Sequence, residues 1–459
     1  MTDFSSLPVD KLLREEGFAC GCGRMHKAYP LRYLAIAPDC LDRVIDALEQ
    51  LNVKKPFVIM GEHGRAAAGL RVMDALSRAG IGFSSFCFPE GMHILPNEEA
   101  VAMIDAAFDG SCDFVLGIGS GVINDLGKLA AHSRGLDCGI VATAPSMDGY
   151  ASNSSAMELG GVKTTVYTIC PSIVICDTEV MRSAPEIMLR SGFGDMAAKV
   201  VSIADWRISH IVCGEYYCEG IAQMIHGAYT RILDNVDGIM RRDERAIRLL
   251  TEGLVLSGIA SSFSGMSRPA SGMEHTVSHL LEMFALARGM QPAPHGIQVG
   301  FGLRAALRLY AACRRFTPTR EKFELAHRSY SPGEWERELR AAFGAQAQAL
   351  IDSSLRDRRN DFGEAEKRFT AALAHWDEIC AIMDSVLAQE AQITAALDLA
   401  GIPGLGQAQL MGYSHREAIN AVKFSRDLRS RYIFTSLCWD IGLTSYAALD
   451  TQLEEWLHD

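Results

Sequence analysis

One carboxylate and two imidazoles in this 459-residue chain have the chemistry of a divalent metal site. Asp195 follows a glycine, His275 precedes a second histidine, His279, by four residues, and His295 directly follows Pro294. Carboxylate oxygens and neutral imidazole nitrogens bind zinc and similar cations, and three protein ligands leave one position for water or substrate. We therefore predict a metal site that is open to a small molecule; the alternative is that these histidines are core residues.

The spacing of the histidines allows two arrangements around a metal. His275 and His279 share one face of a predicted helix, so both could bind one cation. In the other arrangement one of them binds the cation and the other reaches the substrate. His295 begins a helix, and the positive end of that helix favours the neutral ring that a metal needs.

A glycine-rich turn upstream is typical of a nucleotide site. Gly117, Gly119 and Gly121 lie between a predicted strand and a predicted helix. They let the backbone approach a pyrophosphate, while the free N–H groups of the helix bind the phosphates. A second turn, 143–152, offers hydroxyls and a carboxylate to a nicotinamide and its ribose. Glu62 could accept hydrogen bonds from the adenosine ribose, which favours NAD, or it could be an exposed loop acid.

The elements that position these turns alternate in type. Short apolar runs predict strands, and apolar residues three and four apart predict helices between them. The predicted strands are 57–60, 82–88, 114–118, 139–142 and 172–176. The predicted helices are 40–52, 65–79, 97–108 and 122–133. This alternation predicts a doubly wound parallel sheet, with the turns at 61–64, 117–121 and 143–146 at one edge.

The pattern after about residue 181 is helical. We therefore expect an α/β domain over 1–180 and an all-α metal- and substrate-binding domain over 181–459. A charged stretch at about 318–375 is interpreted as a solvated helical pair, with a substrate lid as the alternative.

Composition restricts the classes of partner. Lys and Arg total 44 against 56 Asp and Glu, so the net charge is −12, which argues against nucleic-acid or anionic-membrane binding. We predict no signal peptide and no stretch long and apolar enough to span a bilayer. The odd number of cysteines, 13, indicates reduced thiols and a cytoplasmic protein.

One cysteine cluster differs from the others. Cys20, Cys22 and His26 lie within one short segment and could belong to a zinc site. Because no second Cys/His pair lies nearby in the sequence, we interpret the segment as an ordinary turn, with a structural metal as the alternative.

Five motifs in order resemble a known family. They are 117–125 (Gly-Ile-Gly-Ser-Gly-Val-Ile-Asn-Asp), 143–152 (Thr-Ala-Pro-Ser-Met-Asp-Gly-Tyr-Ala-Ser), Gly194 with Asp195, 271–275 (Ser-Gly-Met-Glu-His) and 295–300 (His-Gly-Ile-Gln-Val-Gly). Together they resemble the NAD(P)-linked, metal-dependent sn-glycerol-1-phosphate dehydrogenases, and the 143–152 block resembles their bacterial branch. The resemblance implies the dehydroquinate synthase-like fold of the iron-containing alcohol dehydrogenases.

The resemblance also implies a role for each matching residue. Asp148 and His279 would meet substrate, and Lys163 resembles the substrate-binding lysine of the dehydroquinate synthase branch. We further expect His279 with Asp148 to carry the proton and Lys163 to bind the substrate phosphate. Asp195, which also borders the substrate, would hold the metal with His275 and His295. The residues implied for the cofactor are Gly119, Ser120, Gly121, Val122, Thr143, Ser146 and Ser152.

We therefore expect an oxidoreductase that interconverts dihydroxyacetone phosphate and sn-glycerol 1-phosphate. It would use NAD(H) or NADP(H) and one divalent cation, zinc or nickel ahead of iron, as a Lewis acid at the C2 oxygen. We further expect a cytoplasmic homodimer. The alternatives are another polyol or alcohol dehydrogenase, a dehydroquinate synthase-like lyase on the same scaffold, or a metal- and nucleotide-binding protein without turnover.

Overall fold

The computed structural model of the protein describes residues 4–28, 30–160, 162–444, 451 and 453–455. The chain forms two compact units, each built from two stretches: Met1–Met196 with Cys218–Ala270, and Ala197–Tyr217 with Ser271–Asp459. The boundaries of these units differ from the predicted domain boundary at residue 180. The last described strand ends close to residue 180. As a domain boundary, residue 180 stays a prediction.

All described strands lie in the first unit, and helices occur in both. The strands are β1 (Phe18–Ala19), β2 (Met25–His26), β3 (Tyr33–Ala37), β4 (Pro56–Met60), β5 (Ser84–Cys87), β6 (Phe114–Gly119), β7 (Asp137–Ala142), β8 (Ser154–Leu159), β9 (Val162–Tyr167) and β10 (Ile173–Asp177). The helices are α1 (Arg43–Gln50), α2 (Glu62–Gly64), α3 (Leu70–Arg78), α4 (Glu98–Ala107), α5 (Gly121–His132), α6 (Thr178–Ser183), α7 (Glu186–Ala197), α8 (Lys199–Cys213), α9 (Glu219–Leu233), α10 (Val236–Met240), α11 (Glu244–Ser264), α12 (Met273–Ala287), α13 (His295–Arg314), α14 (Arg320–Arg328), α15 (Pro332–Phe343), α16 (Ala347–Arg356), α17 (Phe362–Ala374), α18 (Trp376–Leu387), α19 (Glu390–Leu399), α20 (His415–Lys423) and α21 (Phe434–Asp440).

Six parallel strands form the central sheet, in the order β3-β10-β7-β6-β4-β5. Five of them confirm the predicted strands. The sequence analysis missed β3, an edge strand whose short apolar run has no periodicity to separate it from a helix. It also missed the antiparallel hairpin of β8 and β9.

The two faces of the sheet carry separate cores, and β4 illustrates the separation. Val58 and Met60 pack into a cluster with side chains of α1 and α3. Phe57 and Ile59 point the other way, into a cluster with side chains of α4 and α5. Because successive residues of a strand face opposite sides, helices on both faces bury an almost fully apolar strand. The predicted doubly wound sheet is therefore confirmed.

The carboxyl ends of three neighbouring strands meet at one edge. Met60, the last residue of β4, pairs with Ile118 of β6. Gly119 ends β6 and pairs with Ala142, the last residue of β7. The turns that follow these strands therefore lie side by side, as the sequence predicts.

Helix α11 runs through the first unit. Among the described helices it alone has the length and hydropathy to span a bilayer, but 78% of its most apolar window is buried inside the protein. The expectation that no stretch is long and apolar enough is therefore wrong; this burial is typical of a core helix. A Cβ on Gly258 would lie 2.9 Å from the backbone of Ala151, so α11 packs directly against the 149–151 turn.

The described part of the second unit is helical. Helices α12 and α13 lie very close together, because a Cβ on Gly302 would be only 2.5 Å from the Glu274 carbonyl oxygen. The charged stretch at 318–375 holds four helices, α14 to α17, rather than the expected pair. Each has an exposed charged face and a buried side, which carries Phe323, Trp335 and Phe369 among others. The lid alternative stays a prediction.

Candidate active site

The glycine-rich turn joins β6 directly to α5. Gly119 ends the strand and Gly121 begins the helix, with Ser120 in extended conformation between them. A Cβ on Gly119 would lie 2.7 Å from the side chain of Ile123, so only glycine allows the strand and helix to approach so closely. The side chain of Ser120 does not cap α5. The first N–H groups of α5, including that of half-buried Val122, are thus suited to an anion.

The second predicted cofactor turn begins beside the first. The Thr143 N–H donates to the Gly119 carbonyl at 3.0 Å, which ties the two turns together. Ser146 is buried, and its carbonyl accepts a hydrogen bond from the Ser191 hydroxyl at 2.9 Å. The Ser152 hydroxyl donates to the Gly149 carbonyl at 3.0 Å. These bonds give the turn a fixed shape.

A buried lysine that the sequence analysis missed holds the end of this turn. Lys128 lies on α5 and is 1% exposed. Its ammonium group pairs with Asp125 at 3.0 Å and donates to the carbonyl oxygens of Gly149 and Ser154. It also contacts the Ser152 hydroxyl at 3.4 Å. The charge of Lys128 therefore anchors the turn to the helix that begins at the glycine-rich loop.

Glu62 lies where the sequence predicts, directly after β4 and its neighbouring Gly61. Its carboxylate accepts a hydrogen bond from the Gly91 N–H at 3.2 Å, and its other oxygen lies 3.6 Å from His63. It therefore stands at the same edge of the sheet as the two turns. Its contact with a ribose stays a prediction.

Asp148 and Asp195 come together within the first unit. The Asp148 N–H donates to Asp195 Oδ2 at 3.1 Å, and the Asp148 carboxylate accepts from the Ser257 hydroxyl at 2.7 Å. Gly192 makes this approach feasible, since a Cβ there would lie 1.9 Å from the Pro145 carbonyl oxygen. Asp195 is fully buried, so its carboxylate is aimed by the packing of α7 on the turn.

Lys163 lies on β9, paired in register with Glu158 of β8. Its side chain is outside the described part of the protein. Its contact with a substrate phosphate therefore stays a prediction.

In the second unit, buried Glu274 orients His275. The carboxylate of Glu274 contacts His275 Nδ1 at 2.7 Å and accepts from the Ser202 hydroxyl and the Gly272 N–H. Burial alone raises the pKa of Glu274, but these hydrogen bonds outweigh it, so that the pKa is lowered. An ionised Glu274 fixes the proton of His275 on Nδ1 and leaves a lone pair on Nε2 that could bind a metal.

Glu282 contacts His279 and lies near His295. Its carboxylate lies 3.2 Å from His279 Nδ1 and 3.6 Å from His295 Nδ1. Burial, assisted by the charge of Arg429, lowers the pKa of His279 to about 3, so the ring is neutral at physiological pH. The imidazole rings of His275 and His295 have their centroids 5.3 Å apart, and their ligand nitrogens lie within 4.8 Å of each other.

This donor set fits a divalent cation. The two imidazoles converge, and a buried carboxylate contacts Nδ1 of His275 at 2.7 Å. Nδ1 of His295 lies 3.4 Å from the Ser278 hydroxyl and 3.6 Å from Glu282. Polar partners at the second ring nitrogen are common around protein-bound metals. His275 is 5% exposed, which excludes most competing water. The second unit thus contributes two imidazole nitrogens that could hold a metal ion.

Comparison with known proteins identifies the family. Residues 35–185 match the family model of iron-containing alcohol dehydrogenases. Glycerol-1-phosphate dehydrogenase of Bacillus licheniformis is 34% identical over 286 residues, covering 61% of this chain and 71% of the relative. The enzyme of the same name from Halalkalibacterium halodurans is 31% identical over 293 residues, covering 63% and 73%. The chain belongs to the glycerol-1-phosphate dehydrogenase family.

Membership confirms the resemblance inferred from the five motifs, and both relatives carry NAD(P)+ in their names. Among solved structures, glycerol dehydrogenase from Schizosaccharomyces pombe has a TM-score of 0.59 at 13% identity, over 93% of this chain and 91% of that one. At that identity the likeness concerns the fold alone. It confirms the predicted architecture, an α/β part followed by a helical part.

The sequence analysis found the residues with metal-binding chemistry and missed those that orient them. Glu274 directly precedes His275, and Glu282 follows His279 by three residues, one helical turn. Such adjacent carboxylates were the available signal. Nothing in the sequence signals the contact of Gly192 with the distant Pro145 carbonyl.

Proposed function

We propose that this enzyme interconverts dihydroxyacetone phosphate and sn-glycerol 1-phosphate, with NAD(H) or NADP(H) as hydride carrier. The observation that carries the proposal is the pair of converging imidazoles, buried His275 and half-buried His295, which lie beside Glu274 and Glu282 in a chain of the glycerol-1-phosphate dehydrogenase family. A reaction at a secondary alcohol needs this kind of site, because charge develops on one oxygen as hydride is transferred.

The proposed metal ligands are Asp195, His275 and His295. Supporting this set, each is a good ligand for a borderline cation, and the second nitrogen of each histidine lies near a buried carboxylate. Zinc or nickel is preferred over iron on the affinity order of such ligands. When bound, the cation supplies Lewis-acid polarisation at the C2 oxygen of the substrate.

His279 and Asp148 are proposed to handle the proton. With the Nδ1 hydrogen of His279 directed at Glu282, its Nε2 carries a lone pair. In the oxidising direction Nε2 accepts the hydroxyl proton, and the carboxylate of Glu282 stabilises the imidazolium that results. Asp148, held by Ser257, orients the hydroxyl end of the substrate.

The cofactor is proposed to lie across the edge of the parallel sheet. Its phosphates are bound by the backbone of Gly119, Ser120, Gly121 and Val122, with Thr143, Ser146 and Ser152 along the nicotinamide half. The tie between the two turns at Thr143 supports this placement. Glu62 favours NAD(H), because its carboxylate repels a 2′-phosphate.

Lys163 is proposed to bind the phosphate of the substrate. A phosphate monoester requires positive charge in a protein of net charge −12. Lys163 follows Gly160, which has a φ of +58°, on the hairpin that comes directly after the Asp148 turn.

The decisive experiment measures oxidation of NADH and NADPH with dihydroxyacetone phosphate, and the reverse reaction with each enantiomer of glycerol phosphate. We expect turnover of dihydroxyacetone phosphate and little with dihydroxyacetone. Removing the metal, or replacing His275 by alanine, should abolish both turnover and bound metal. His375→Ala, at an exposed histidine of the second unit, is the matched control and should behave as wild type.

A second candidate is a polyol or alcohol dehydrogenase without a phosphate requirement. The glycerol dehydrogenase of Schizosaccharomyces pombe shares the fold, so the fold by itself is compatible with either substrate class. Equal turnover of dihydroxyacetone and its phosphate ester would replace our proposal with this one. A cytoplasmic homodimer is also proposed, and light scattering of the purified protein tests the oligomeric state.

A further inference from the structure

The segment that the sequence analysis interprets as an ordinary turn is the tip of a small hairpin. Strands β1 and β2 pair antiparallel, and the Cys20 N–H donates to the Arg24 carbonyl at 3.1 Å. Gly23 closes the turn with a φ of +83°, which glycine adopts without strain. The turn therefore places Cys20 and Cys22 at the tip and His26 beside them on β2.

The chain supplies a fourth ligand from far along the sequence. Cys218 is buried and stands at the N-cap of α9, in the same compact unit. The ligand atoms of Cys20, Cys22, His26 and Cys218 all lie within 4.8 Å of one another.

The spacing of these atoms is that of a tetrahedral zinc site. Zn–S and Zn–N bonds of about 2.3 and 2.05 Å give ligand separations of about 3.8 Å between sulfurs and about 3.6 Å between sulfur and nitrogen. The Cys20 and Cys218 sulfurs are 3.6 Å apart. His26 Nε2 lies 3.3 Å from the Cys22 sulfur and 3.4 Å from the Cys218 sulfur. These distances are within about 0.3 Å of the tetrahedral values.

His26 is oriented as a ligand. It is fully buried, its Nδ1 contacts the Phe263 carbonyl oxygen at 2.9 Å, and its ring stacks on that of Phe263 with an interplanar angle of 10°. Phe4 packs edge-on against the same ring. Because a carbonyl only accepts, the His26 proton lies on Nδ1, and the lone pair of Nε2 faces two sulfur atoms. A single lone pair on Nε2 cannot accept good hydrogen bonds from two thiols at once. A cation placed between the two sulfurs and Nε2 would be coordinated by all three atoms.

We propose that Cys20, Cys22, His26 and Cys218 bind one zinc ion in a structural site that is separate from the active site. Four protein ligands leave no open position, which is typical of structural rather than catalytic zinc. This proposal replaces our interpretation of the segment as an ordinary turn, which rested on the three possible ligands that lie near one another in the sequence. The ion fastens the N-terminal hairpin to the start of α9 and to the end of α11, where Phe263 lies.

The experiment begins with the metal content and spectrum of the wild-type protein. Zinc should be present in addition to the active-site metal. Replacement with cobalt should produce sulfur-to-cobalt charge-transfer bands and strong visible bands of a tetrahedral thiolate site. The proposed active-site ligands include no sulfur, so these bands should persist in His275→Ala. Their absence from wild type, after full cobalt loading, would overturn the proposal.

Variants then assign the ligands. Cys218→Ser and Cys22→Ser should each lose one equivalent of zinc and the charge-transfer bands, and the first 26 residues should become accessible to protease. Cys87→Ser, at an exposed cysteine of the same unit, is the control and should keep both. A wild-type mass lower by two hydrogens, with no zinc, would instead identify a disulfide and refute the site. The wild-type spectrum decides the question even if the serine variants fail to fold.

Discussion

Replacing Gly192 by alanine tests whether the packing of α7 on the 143–152 turn positions the Asp195 carboxylate. A Cβ there would lie 1.9 Å from the Pro145 carbonyl oxygen, whereas ordinary van der Waals contact begins at 3.4 Å. Helix α7 and the turn must therefore separate by about 1.5 Å. Since Asp195 accepts the Asp148 N–H at 3.1 Å, a shift of that size breaks the bond. A misplacement of about 1 Å costs roughly 100-fold in rate, or about 2.7 kcal/mol in transition-state free energy.

We therefore expect kcat/KM for dihydroxyacetone phosphate to fall roughly 100-fold or more in Gly192→Ala, with loss of bound metal. Initial rates and metal analysis measure the effect, and circular dichroism verifies that the variant is folded. Gly227→Ala on α9 is the control, because its Cβ would lie an ordinary 3.6 Å from the nearest atom of Arg231. A folded Gly192→Ala enzyme with wild-type kcat/KM and metal content would refute the reasoning.

Four further predictions concern single residues. Glu274→Gln should weaken metal binding about 10- to 100-fold, because the amide holds His275 less firmly; equilibrium dialysis measures it, and unchanged affinity contradicts the role. Glu62→Ala should raise the ratio of kcat/KM for NADPH to that for NADH, and an unchanged ratio would assign the choice to another residue. Lys163→Ala should raise the KM for dihydroxyacetone phosphate strongly while the Kd of the cofactor, from fluorescence titration, stays constant; an unchanged KM would place the phosphate elsewhere. Lys128→Met should lower the free energy of unfolding in urea by about 1–3 kcal/mol, because buried carbonyls lose their donor; no change would mean that they find another.

The sequence predicts the parallel sheet well because turn-forming residues mark the ends of its strands. Four of the five apolar runs are followed directly by glycine, proline or threonine, and helical spacing follows most of the five, so the strand ends could be placed at one edge. β3 carries no such signal, and β10 reveals it only by pairing with it across more than a hundred residues. Pairing between distant segments leaves no periodicity to detect.

The residues of the site also differ in how far the sequence predicts them. His275 and His295 are predicted from their chemistry, which is visible in the residue type itself. The contact of Gly192 with the Pro145 carbonyl and the approach of Cys218 to the hairpin depend on tertiary packing. Local sequence therefore predicts which side chains can react. The positions and orientations of those side chains depend on contacts between distant segments, which only the three-dimensional structure shows.

The interleaving of the two compact units has a consequence for synthesis. The first unit is completed only when Ala270 is added, and a ribosome that adds about 5–20 residues per second needs roughly 4–15 s to extend the chain from Met196 to Ala270. Until then α11 cannot cover the 149–151 turn. Helix α8 emerges earlier still, yet the other members of its unit begin at Ser271. Trp206, which is fully buried in the finished protein, is therefore synthesised before α12, α17 and α18, the helices against which α8 packs. Apolar surface left uncovered during synthesis is the kind that chaperones protect.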